Sequence, residues 1–163
     1  AVNVSALEFR QPGFVERVRT VLARHGLAPH LLELELTESV LLNDAEEMEG
    51  LIRTLAATGV SLVIDDFGTG YSSLAYLKRL KIAKLKIDQS FVRGLPGDDG
   101  DRAIVQAVVD MGRALRMKVL AEGVETEGQR EALEQMRCAQ YQGFLCSRAL
   151  PVQEFRALVA RRA

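Results

Sequence analysis

Apolar and polar positions along the chain follow two rhythms in alternation. Leu32 to Leu36 reads Leu-Glu-Leu-Glu-Leu, a period of two, which predicts a strand with its leucines turned to one side and Glu33 and Glu35 to the other. Ser61 to Asp65 and Lys84 to Asp88 repeat that rhythm. They predict Val63 and Asp65 on one face of a strand, and Lys84, Lys86 and Asp88 together on one face of the next. Val2-Asn3-Val4-Ser5, Val119 to Glu122 and Tyr141 to Cys146 are the other strand-like runs. Between them the apolar positions recur at helical spacing. Phe14, Val15, Val18, Val21 and Leu22 form one stripe, with Pro12 suited to the first helical turn and Gly26 to the stop. Met48, Leu51, Ile52, Leu55 and Ala56 form a second, which Asp44 would cap and Gly59 would close. Ile104, Val105, Val108, Met111 and Leu115 form a third, with Asp101 as the expected cap. Leu74 to Leu80 allows only a short helix, Glu127 to Met136 predicts another, and Val152 to Arg162 a terminal one.

Strands alternating with helices predict an α/β protein with a parallel sheet, organised as a TIM-type (β/α) barrel. Six βα units are present, whereas a complete eight-unit barrel takes about 250 residues and this chain has 163. The expectation is a partial barrel of about six units, a single domain over 1–163 lacking its N-terminal strands.

The ends of the six runs carry the chemistry. They are Asn3, Glu35, Asp65-Asp66, Lys86-Ile87-Asp88, Glu122 and Gln142. The carboxyl ends of strands are where such barrels build active sites, and carboxylates, amides and a lysine converging there suit a hard cation. Asp65-Asp66 is the sharpest signal, because adjacent carboxylates repel unless a cation lies between them. A pair of divalent ions roughly 3.5–4 Å apart supports in-line phosphoryl displacement. Singly, each residue has an ordinary alternative: a helix cap, an internal ion pair, a satisfied strand-end amide. Lys86 could neutralise the acids, hold a water or bind phosphate. Glu38 and Glu125 each follow an acidic strand end by three residues and are expected to brace loops. Gly68 and Gly70 suggest a phosphate cradle, but the Lys-Ser/Thr ending of a P-loop is missing, so an active-site loop is the better reading. His25 and His30 lie away from the strand ends, and Arg161 and Arg162 suit a helix terminus.

Composition excludes more than it assigns. Charged residues at 26% and a net charge of −1 give no general attraction to nucleic acid or to an anionic membrane. An anionic substrate would need metal ions or local cations. Cys138 and Cys146 form neither a metal-type pair nor a disulfide framework, and read as small apolar residues of a reducing compartment. No apolar run approaches the ~20 residues of a membrane span, so a cytoplasmic location is expected.

These motifs resemble the EAL family of bacterial cyclic di-GMP phosphodiesterases. Asn3-Val4-Ser5-Ala6, Glu35-Leu36-Thr37-Glu38, Asp65 to Leu74 (Asp-Asp-Phe-Gly-Thr-Gly-Tyr-Ser-Ser-Leu), Lys86-Ile87-Asp88, Ala121-Glu122-Gly123-Val124-Glu125 and Gln142-Gly143 follow the family's order over essentially the whole chain. The Glu-Ala-Leu segment that names the family is absent, and with it a further metal-ligating glutamate and a substrate-contacting arginine. Ala149 stands where proline is common. The resemblance implies hydrolysis of cyclic di-GMP to linear pGpG with two Mg²⁺ or Mn²⁺ ions. It implies that Asn3, Glu35, Asp65, Asp66 and Glu122 ligate or support the metals, with Glu35, Asp65, Glu122 and Lys86 catalytic. Lys86 would assist the attacking water, Gln142 and Asp88 would contact water or substrate, and Glu38 would anchor the loop after Asp66, near a homodimer interface. Upstream sensory or cyclase domains would be partners, in a cytoplasmic protein or the cytoplasmic part of a larger, membrane-anchored one. The isolated piece is expected to be weakly active. The competing reading is an inert cyclic di-GMP receptor or protein-interaction module. A sugar-phosphate isomerase or aldolase on the same fold is disfavoured, because those reactions do not need so many carboxylates around one mouth.

Overall fold

The computed structural model describes residues 1–42, 45–70 and 74–162. Six strands, β1 (Val2–Asn3), β2 (Glu33–Thr37), β3 (Ser61–Phe67), β4 (Lys84–Ile87), β5 (Lys118–Ala121) and β6 (Gln140–Tyr141), pair in that order. Every pairing is parallel. The helices between them are α1 (Ala6–Phe9), α2 (Phe14–His25), α3 (Ala45–Ala57), α4 (Leu74–Leu77), α5 (Gln89–Arg93), α6 (Asp99–Leu115), α7 (Glu127–Gln135) and the terminal α8 (Val152–Arg162). This is the expected α/β architecture, a partial TIM-type barrel of six units. The outer edges of β1 and β6 have no partner strand among the described residues.

One face of the sheet makes the core. Leu34, Leu36, Leu62, Ile64, Leu85, Ile87 and Ala121 pack beneath Met48, Ile52 and Leu55 of α3, Val105, Val108 and Val109 of α6, and Leu133 of α7, all buried. Burial of this apolar face is the main force holding helices to sheet. The alternate residues Glu33, Glu35, Val63, Asp65, Lys84 and Lys86 therefore share the other face. In register, Glu35 lies beside Val63 and Val63 beside Lys84.

Helix ends differ from expectation in instructive ways. Pro12 lies in the turn before α2, whose N-cap is Gly13. Helix α1 is an addition, begun by a capping box in which Ser5 and Glu8 bond reciprocally. Asp98, not Asp101, caps α6. Its carboxylate accepts from the Asp101 N–H at 2.9 Å, three positions in, where a capping oxygen reaches. Asp44 as a cap, and Tyr71, Ser72 and Ser73 of the glycine-containing loop, lie outside the described residues. The sixth strand is shorter than Tyr141 to Cys146. It ends at Tyr141, and the chain turns so that Leu145 N–H donates to Val124 O. His25 and His30 are exposed, and neither cysteine is in a disulfide. No helix among the described residues is long and apolar enough to cross a membrane.

Candidate metal centre

Adjacent residues on a regular strand face opposite sides, so Asp65 and Asp66 could not both serve one site without a break in β3. The break is there. Ile64 pairs with Leu85 and Phe67 with Ile87, so β3 spends one residue more than β4 over the same stretch. Asp66 takes φ +52°, a left-handed conformation uncommon outside glycine. Such a bulge re-aims side chains. It returns Phe67 to the core and leaves both aspartates at the mouth. Nothing in the alternation of Ser61 to Asp65 signalled it.

At the centre stands Lys86, 5% exposed. Its Nζ lies 2.8 Å from Asp65 Oδ1, 2.8 Å from Glu122 Oε1 and 3.0 Å from Glu35 Oε2. One ammonium thus meets carboxylates from β2, β3 and the end of β5. Burial opposes its charge, but the bonds to Asp65, Glu122 and Glu35 outweigh that and push its pKa upward, so the group stays protonated. One step toward the amino ends, Lys84 pairs with Glu33 at 2.7 Å.

The other acids interact more tensely. Burial, the neighbouring charge of Asp65 and a hydrogen bond to Asp88 raise the pKa of Asp66. Burial also opposes ionisation of Asp88. Hydrogen bonds from the side chain and backbone of Ser90, then from Asp66, overcome it and lower that pKa. The two carboxyls are thus shifted in opposite directions, Asp66 up and Asp88 down. Burial raises Glu122 as well, aided by Asp65 and opposed by Lys86. Among the described residues, Asp65, Asp66 and Glu122 bring potential ligand atoms within 4.8 Å of one another. Carboxylates so close, with carboxyl groups held against ionisation, fit a site built for cations.

The remaining expected residues divide. Gln142 Nε2 donates to Glu122 Oε1 at 2.5 Å. Glu38, 3% exposed, accepts at one oxygen from both Gly68 N–H and Gly70 N–H at 3.1 Å, beneath the loop after β3. Asn3 is in register with Glu35 but exposed at the sheet edge. Glu125, expected to brace a loop, is exposed. Its backbone N–H is what is held, by Gln129 Oε1 at 2.8 Å, and the same oxygen accepts from Thr126 N–H. Gln129 is reached through the Thr126/Gln129 capping box of α7, a spacing legible in Thr-Glu-Gly-Gln.

Beside the acids opens a cavity of about 690 Å³ lined by Asp66, Asp88, Glu122 and Gln142 and by Phe144 and Arg148. The Arg148 guanidinium lies 4.1 Å over the Phe144 ring. Neither residue stood out in the sequence, because a strand through Cys146 would have carried Phe144 within the sheet.

A profile of the EAL domain matches residues 1–149. The chain is 51% identical over 160 residues to the bifunctional diguanylate cyclase/cyclic di-GMP phosphodiesterase MucR of Pseudomonas aeruginosa, covering 98% of this chain and 23% of that protein. It therefore spans about a quarter of that relative's length. Among solved structures it superposes on the PaMucR phosphodiesterase in complex with c-di-GMP with a TM-score of 0.90 at 50% identity, over 94% of this chain and 62% of that one. It superposes on Klebsiella pneumoniae BlrP1, in a manganese/cy-diGMP complex, with a TM-score of 0.82 at 33% identity, over 90% of this chain and 37% of that one.

Proposed function

The chain belongs to the EAL domain family, and from that premise we propose that it is the catalytic part of a phosphodiesterase that hydrolyses cyclic di-GMP to linear pGpG. The observation carrying this reading is the gathering of Glu35, Asp65 and Glu122 on one buried lysine, with Asp66 alongside, at the rim of a nucleotide-sized cavity. The donor set suits Mg²⁺ or Mn²⁺, held by Glu35, Asp65, Asp66 and Glu122 with Asn3 at the edge. When bound, such ions polarise a phosphodiester and lower the pKa of water.

The chain's own residues have definable work. Lys86 stays an ammonium, so it assists the attacking water as a fixed positive charge beside the acids, not as a base. Gln142 holds Glu122 and reaches water or substrate from the cavity wall. Asp88 faces the cavity beside Asp66. Glu38 fixes the loop after Asp66, which on this reading also approaches a second copy in a homodimer. We place the domain on the cytoplasmic side of the cell, with sensory or cyclase domains in the same protein.

The test is chromatographic. With Mn²⁺, the purified chain should convert cyclic di-GMP to pGpG slowly, and chelation should stop it. Binding without product, with or without metal, would favour the receptor reading. Absence of both binding and product would overturn the proposal.

A further inference from the structure

The ion pairs and hydrogen bonds at the metal centre sort the carboxylate oxygens into two sets. Lys86 Nζ hydrogen-bonds Glu35 Oε2 and ion-pairs with Asp65 Oδ1 and Glu122 Oε1. The backbone N–H of Asp66 donates to that same Asp65 Oδ1 at 3.1 Å. Gln142 Nε2 donates to that same Glu122 Oε1. Every donor thus falls on one oxygen of each carboxylate. Glu35 Oε1, Asp65 Oδ2 and Glu122 Oε2 accept from no N–H among the described residues. An ammonium has three N–H donors, and here three carboxylates surround it. Because Lys86 is rooted in β4 between β3 and β5 and is 5% exposed, its charge has little room to wander.

We infer that Lys86 is a positioning residue for the metal ligands: it ties down one oxygen each of Glu35, Asp65 and Glu122 and so presents the other oxygens to a divalent cation. This rests on reading the site as a metal centre, but it makes a separate claim whose sign differs from plain electrostatics. On charge alone, a lysine at 2.8 Å from two ligands repels an incoming cation, and deleting it should tighten metal binding. As a clamp it does the reverse. Without it, three crowded carboxylates turn apart or take up protons, and the cation must reorder them on arrival. Groups that orient metal ligands from outside are worth roughly 10–100-fold in metal affinity.

Mn²⁺ titration by calorimetry on the chain and three variants separates the two signs, with the metal-free thermal midpoint recorded for each. Lys86→Arg keeps the charge and changes the donor geometry. Lys86→Met removes both. Gln142→Ala removes the second donor to Glu122 and leaves the buried ion pairs in place. The expected result is a dissociation constant raised about 10–100-fold in both lysine variants, and raised to a smaller, measurable extent in Gln142→Ala. Equal or tighter Mn²⁺ binding in Lys86→Met, or wild-type affinity in Lys86→Arg, would overturn the inference. Should both lysine variants fail to fold, Gln142→Ala decides, and unchanged affinity there counts against the clamp. Uptake of Mn²⁺ by the wild-type chain with no loss in the variants defeats this inference alone. No uptake by the wild type defeats the metal centre and the clamp together.

Discussion

The bulge at Asp66 leaves Asp65 and Asp66 at one mouth but gives them different partners. Asp65 belongs to the lysine cluster, whereas Asp66, at φ +52°, lies against Asp88, and burial, the Asp65 charge and that contact raise its pKa. Substituting them should separate two effects. Asp65→Asn removes an anionic oxygen from the centre, and an amide offsets no cation charge. Turnover of cyclic di-GMP should fall roughly 10²-fold or more while the fold persists, which product chromatography and circular dichroism would check. Asp66→Asn has a pH signature. The raised Asp66 carboxyl binds its proton more tightly in the folded state than in the unfolded one. Its stabilising share is therefore full below its ordinary value and is lost as pH rises through the raised value. Asparagine keeps the left-handed backbone and still donates to Asp88. Without metal at neutral pH, the variant should have a slightly higher melting temperature than the wild type. That advantage should shrink as the pH is lowered into the acidic range, and Mn²⁺ should reverse it by favouring the wild type.

At the scale of elements, the loops are tied to their strands by few contacts. Gly143 is the glycine packed most tightly against backbone. A Cβ there would lie 2.1 Å from Val124 O and 2.3 Å from Val124 N, between the backbones that carry Gln142 and Glu122. Gly143→Ala should force those segments apart, lowering stability by about 1–3 kcal/mol and weakening Mn²⁺ binding, as melting and calorimetry would record. These contacts also explain how far the sequence could be read. Strand positions were legible wherever an alternation such as Leu32 to Leu36 met a turn, and the inward set of Glu33, Glu35, Lys84 and Lys86 followed from parity alone. Parity cannot announce its own violation, so the bulge at Asp66 was invisible. Nor could it stop β6 at Tyr141, since the turn there depends on Val124 from another unit. That Gln129 Oε1 holds the backbone N–H groups of Glu125 and Thr126 was likewise not legible, because which side-chain oxygen faces the backbone depends on how α7 docks.

For the whole molecule, the exposed edges of β1 and β6 set the expected activity. Asn3 sits on one edge and the Gln142 turn follows the other, so among the described residues each end of the arc has a neighbouring strand on one side only. Relative to the longer PaMucR phosphodiesterase chain that it resembles, this chain should turn over cyclic di-GMP at least tenfold more slowly at equal Mn²⁺, the scale of imprecise positioning. Comparable rates would show that the six units suffice. The order of the sheet has a kinetic side as well. Each strand bonds only to its neighbours in the chain, so no pairing requires the distant ends to find each other, and loop closure stays short at every step. The arc can nucleate in the middle, where β3 pairs along its length with β2 and also with β4, and grow outward one βα unit at a time. Amide hydrogen exchange would then fade from β3 and β4 toward β1 and β6, and the order in which amides gain protection during refolding would retrace the order of the strands.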